Sequence, residues 1–77
     1  MKLVMIRWVD SAFLHGWVDR DSVKTHQPSD CVSVGLLVNE GKEHITIVQS
    51  ASKEQVGDGL TIPKCCIKKM WQLKVKC

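Results

Sequence analysis

Apolar and polar residues alternate most cleanly over residues 31–50, CVSVGLLVNEGKEHITIVQS. Val32, Val34, Leu36 and Val38 fall on one face of an extended strand, with Ser33, Gly35, Leu37 and Asn39 on the other. After Asn39-Glu40-Gly41-Lys42, Ile45 and Ile47 alternate with His44, Thr46 and Val48. Period-two patterning on both sides of a Gly-containing polar loop predicts a β-hairpin. Gly41 is expected to supply the positive φ that such loops use. Leu37 and Val48 make the second face half apolar, which predicts a hairpin covered on both sides, as in a small closed barrel. Gly35, lacking a Cβ, is where the strand is expected to bend and admit a close neighbour.

The same pattern places the other elements. Residues 2–9 set Val4, Ile6 and Trp8 against Leu3, Met5, Arg7 and Val9, and read as the first strand. Residues 10–30 are the least regular. Asp19 and Asp21 precede Lys24 and His26, and Pro28 follows, so residues 19–27 have the punctuation of one short helical segment. Residues 51–59, with two glycines, read as a polar loop, and Leu60-Thr61-Ile62 as a short fourth strand ended by Pro63. Lys64-Cys65-Cys66 reads as a tight or 3₁₀-like turn. From Ile67 to Val75 the period is ambiguous. A strand is preferred, with Ile67, Trp71, Leu73 and Val75 in phase and Lys69 as the exception, because a fifth strand closes the sheet and protects its edges.

The expected fold is mainly β: a single domain over residues 1–77, a small five-stranded, strongly bent barrel with at most one short helical segment. Composition changes little in this picture. The chain is 44% hydrophobic and 25% charged, an ordinary globular balance. A chain of 77 residues buries a thin core, which favours self-association or ligand binding. No apolar run approaches the about 18 residues that span a bilayer, and the N-terminal stretch has no small-residue cleavage site. A cytoplasmic protein without membrane contact is expected, with Cys31, Cys65, Cys66 and Cys77 as reduced thiols and Cys77 free at the terminus.

The order of elements resembles known small barrels. Gly35-Leu36 in a bent hairpin is followed by a loop, a short strand, and Ile62-Pro63-Lys64 with Ile67 and Met70. Over residues 31–73 this is similar to Sm-like barrels, in which a strand, one 3₁₀ turn and a last strand close a five-stranded bent sheet. SH3-like barrels share the strand order. Along nearly the whole chain, Trp8-Val9-Asp10, Gly16-Trp17, Cys31-Val32-Ser33-Val34-Gly35 and Gln49-Ser50 resemble small uncharacterised proteins of phages and prophages. The Sm-like resemblance implies rings built by strand pairing between subunits and RNA in the pore. The Arg-Gly that those nucleotide sites carry after the fourth strand is absent here, where Pro63-Lys64-Cys65 stands instead.

Candidate chemistry is sparse. Lys2 and Arg7 near one end, with Lys64, Lys68, Lys69, Lys74 and Lys76 near the other, lie in segments free of acids: the first acid is Asp10 and the last is Asp58. If the terminal strands are neighbours, these cations form one electropositive stripe for RNA or single-stranded DNA, with Lys2, Arg7, Lys64, Lys68 and Lys69 as its contact residues, and Trp71 or Trp8 offers a ring on which a base stacks. The alternative is that these lysines solvate edge strands and the tryptophans fill the core. Trp17 reads as a core plug; its alternative is an exposed interface anchor, a role open to Trp71 as well. Cys65-Cys66 lacks metal-knuckle spacing, and its adjacent sulfurs are expected to point apart, so neither metal nor cofactor is assigned. Ser33, Ser50, Asp10, His15, His44 and Cys31 form no recognisable catalytic motif. No small-molecule substrate is indicated. The expected function is non-catalytic: a small binding or assembly protein that forms homo-oligomers through strand edges or a tryptophan-bearing face. Weak nucleic-acid binding is the alternative.

Overall fold

The computed structural model describes residues 1–76; Cys77, with the free terminal thiol expected there, lies outside the described residues. Five strands form one antiparallel sheet: β1 (Lys2–Asp10), β2 (Ser29–Glu40), β3 (His44–Ala51), β4 (Val56–Pro63) and β5 (Ile67–Leu73). A single-turn helix, α1 (Arg20–Val23), lies between β1 and β2, and a 3₁₀ turn, η1 (Lys64–Cys66), joins β4 to β5. The mainly β expectation, the short helix and the 3₁₀ turn all hold.

The strand order is β4-β3-β2-β1-β5. The first and last strands are therefore neighbours, with Met5 opposite Trp71 and Arg7 opposite Lys69. The sheet is not closed: β4 and β5 are its two outer strands. The 3₁₀ turn bridges them at one end, where Cys66 and Ile67 pack on the core and Lys64 N–H donates to the Glu43 carbonyl at 2.8 Å. Away from that end β4 is exposed from Val56 to Thr61.

Register decides which face is inside. Val4, Ile6, Ile45, Ile47 and Ile62 form the core, with Trp8, Leu37, Cys66 and Ile67 packed against it. Leu37 opposes Ile47 and joins the core face, whereas Leu36 opposes Val48 on the other face. Leu37 and Val48 thus do not share a face. The valine row of β2 points away from the core: Val32 is 64% and Val34 42% exposed. The inward row of β2 is instead the row with Gly35, because β3 crosses β2 too closely there for a side chain. A Cβ on Gly35 would lie 2.9 Å from the Val48 carbonyl oxygen and 3.2 Å from the Ile47 Cβ.

Two bulges adjust the pattern. The β2–β3 register shifts between Leu37 and Asn39. The β1–β5 register shifts between Arg7 and Trp8, leaving Lys68 as the extra residue on β5. Ile67 and Met70 therefore oppose Trp8 and Ile6 on the core side, while Lys69, Trp71 and Leu73 lie together on the outer side. Ile67 and Trp71 are out of phase, and Lys69 is no exception.

Three local expectations change. Gly41 does not take a positive φ: the positive values belong to Gly16 (φ 66) and Asp58 (φ 54). The β2–β3 loop closes instead through Gly41 N–H donating to the His44 carbonyl at 2.9 Å. Residues 51–59 are not one long loop. The turn is tight, with Ser52 N–H donating to the Gln55 carbonyl at 2.7 Å, and β4 begins at Val56 with Ser50 opposite Gly57. Gly57, Asp58 and Gly59 have low β propensity, but β3 supplies the ladder they need. Finally, Trp17 does not plug the core. It is 103% exposed, in the segment between β1 and α1.

The core is correspondingly small for the surface around it. The chain exposes 6467 Å², against about 4,700 Å² for a compact folded monomer of its mass. Its radius of gyration is 16.0 Å and its extents are 51 × 27 × 23 Å, where a compact chain of this length has a radius near about 11.5 Å.

Candidate interaction surface

Pairing of β1 with β5 brings some of the terminal cations together and separates others. Arg7 and Lys69 face each other across the ladder on the outer face, two residues along from the Met5–Trp71 pair. Lys69 Nζ lies 5.0 Å from the centroid of the Trp71 ring, within cation–π range. Trp71 is half-buried beside Met5 and opposes no core residue. Arg7, Lys69 and Trp71 thus form one cluster.

Lys68, Lys64 and Lys2 do not join it. Lys68, in the bulge, binds Asp30 at 3.0 Å, reaching past β1 to β2. The Lys68 hydrogen bond and charge, with a smaller contribution from Arg7, hold the Asp30 carboxyl below its ordinary value of 3.8. Lys64 sits on the 3₁₀ turn, at the rim of a shallow concavity of about 240 Å³ that also touches Glu40, Ile45, Ile67 and Met70. Lys2, at the start of β1, is opposite Leu37 and in the phase of the core-facing residues. The continuous stripe expected from the sequence is therefore broken: Arg7 and Lys69 meet beside Trp71, Lys68 is ion-paired, and Lys2 and Lys64 lie elsewhere.

Trp8 is committed to the fold. It packs on the core, and its indole N–H donates to Ser33 Oγ at 3.0 Å. That bond satisfies the one polar atom of a large, partly buried ring. It also occupies Ser33. Asp10 Oδ1 accepts from the Ser11 N–H at 2.8 Å, turning the chain out of β1. His15 packs edge-on against Phe13, with ring centroids 4.7 Å apart.

The vicinal cysteines depart from expectation. Cys65 is exposed and Cys66 packs on the core, but their sulfurs do not point apart: Sγ to Sγ is 3.9 Å. The contact with Cys65, then burial, pushes the Cys66 thiol up from its ordinary value. Among the described residues, no three His, Cys, Asp or Glu side chains gather as metal ligands do.

The segment between β1 and β2 is the feature that the sequence reading placed least well. Phe13, Leu14, Trp17 and Val18 are all exposed, and α1 buries no residue. Gly16, at φ 66, turns the backbone just before Trp17 with a geometry that suits glycine. A signal was present: no period runs through residues 10–18, so nothing in the chain committed its aromatic residues to a core face. Among the described residues no helix is long and apolar enough to cross a membrane. No known protein family matches this chain, and no curated protein or solved structure does so either.

Proposed function

We propose that this chain is a non-catalytic, cytoplasmic binding and assembly protein of phage or prophage type, which self-associates through free strand edges or a tryptophan-bearing face. The observation that carries the reading is a total exposed surface larger than that of a compact monomer of this mass, with Trp17 wholly outside the core. The outer strands β4 and β5 are a second source of association, since neither has a neighbour on its far side. An Sm-like or SH3-like barrel is the fold type proposed. The succession β4, 3₁₀ turn, β5 supports it, and pairing between the two open edges of neighbouring copies would complete the sheet as in Sm-like rings.

The reading is tested by light scattering or sedimentation over a range of concentration, with reductant present. It expects a concentration-dependent oligomer that Lys68→Ala plus Lys69→Ala leaves intact. A clean monomer at high concentration overturns it.

A second reading, weak binding of RNA or single-stranded DNA, is favoured by the Arg7–Lys69–Trp71 cluster. It expects binding that falls as salt rises and that the same double substitution weakens. No binding at low salt removes it.

A further inference from the structure

Two apolar surfaces of this chain lack a partner, and they complement each other. One is the arm between β1 and α1. Phe13 and Trp17 are 77% and 103% exposed there, with Leu14 and Val18 beside them. The other is the outer face of the sheet, where Val34 is 42% exposed and the half-buried Met5 and Trp71 lie beside it across β1 and β5.

Their charges are opposite. The arm, residues 11–19, carries Asp19 and no lysine or arginine, with Asp10 at its root on the end of β1 and Arg20 opening α1. The sheet face carries Arg7 and Lys69 opposite each other, and neither has a salt-bridge partner among the described residues.

We propose that the arm of one copy lies on the outer sheet face of a second copy, with Trp17 beside Met5, Val34 and Trp71, and that the exchange is reciprocal. This rests on the self-association reading above and names the surfaces that it uses. A second copy is the occupant because both halves of the contact are present on every chain. A two-fold exchange then covers both at once, as self-complementary interfaces do. The area agrees. The chain exposes 6467 Å², roughly 1,700 Å² above a compact monomer of its mass. A standard interface removes about 800 Å² from each partner. One reciprocal contact therefore fits within the excess. The tryptophan supplies the anchor, while Arg7 and Lys69 beside the contact speed the encounter with Asp19 without holding the dimer together.

The test is trans-complementation. Trp17→Ala removes the anchor and leaves the face. Val34→Glu spoils the face and leaves the arm. Both positions lie on the surface, so each variant is expected to keep the melting temperature of the parent protein measured as a dilute monomer. Each alone weakens dimerisation about thirtyfold or more, as loss of a hot-spot residue does. Mixed, the two variants form a heterodimer tighter than either homodimer, because one intact arm meets one intact face. A parent oligomer that both substitutions leave unchanged overturns the arm exchange and leaves self-association standing. So does a pair of weakened variants whose mixture shows no rescue. A parent protein that is monomeric throughout overturns both readings. A monomer whose Trp71 face binds fluorescent oligo-dT in a salt-sensitive way assigns the face to nucleic acid instead.

Discussion

The Val48 carbonyl oxygen stands 2.9 Å from the point that a Cβ on Gly35 would occupy. Real Cβ atoms do not tolerate that distance, and the obstacle is backbone in the middle of a ladder rather than a movable side chain. Gly35→Val is therefore expected to cost about 2–3 kcal/mol, at the upper end of what overpacking usually does. That is a loss of roughly ten degrees or more in melting temperature for a domain of this size. At Gly41 the nearest atom is the His44 carbonyl oxygen at 3.2 Å, in an exposed turn. Gly41→Ala should change the melting temperature by only a few degrees. Equal and small losses in both variants would show that the close approach of β2 and β3 is not at Gly35.

The Asp30–Lys68 bond makes a pH-dependent contribution. The folded pKa of Asp30 lies below its ordinary value of 3.8. The contribution is therefore present above the ordinary value and is lost as pH falls through the lower, folded one. The pair is exposed, so the effect is small and screened by salt. Thermal melts at low salt should show Asp30→Asn less stable than the parent at neutral pH. The gap should close in strong acid or at high salt. A gap that persists in acid would place its cause outside this bond.

Inside and outside residues of the sheet should respond differently to mutation. Ile6 is 0% exposed at the centre of the core, and its loss to alanine is expected to cost about 2–5 kcal/mol. That is a large share of the stability of a domain this small. Val32, on the valine row that faces outward, should accept threonine within about 0.5 kcal/mol. Chemical denaturation of the two variants measures both. A costly Val32→Thr would mean that the faces of β2 are reversed.

The vicinal thiols should alkylate in order. Cys65 is exposed, whereas Cys66 packs on the core and its thiol is raised by Cys65 and by burial. Thiolate is the reacting form, so timed maleimide labelling read by peptide sequencing should modify Cys65 first. Faster reaction at Cys66 would contradict the packing of the 3₁₀ turn.

Much of the β architecture was legible because alternation over residues 2–9 and 31–50 is a local property of the chain. The helical turn at residues 20–23 and the 3₁₀ turn at 64–66 were legible for the same reason: capping charges and proline act within a few residues. β4 was legible only from Leu60 onward. Its first half is Gly57-Asp58-Gly59, which holds a strand only because β3 lies beside it.

The candidate surface was legible in its members and not in its grouping. Acid-free termini and adjacent terminal strands brought Arg7, Lys69 and Trp71 together as expected. The bulge at Lys68 then turned that lysine toward Asp30, a residue 38 positions away in the chain. No local pattern reports such a pairing.

The sequence by itself determined that the chain makes short antiparallel strands, where its hairpin turns, and that its two ends are basic. Only the tertiary structure decided that the glycine row of β2, and not the valine row, faces the core. It also left the sheet open, paired Lys68 with Asp30, and put Trp17 in solvent. The physical reason is the same in each case. Alternation fixes two faces but does not name the inner one. That choice belongs to register, bulges and the close approach of β3 at Gly35, which are set between strands rather than along them.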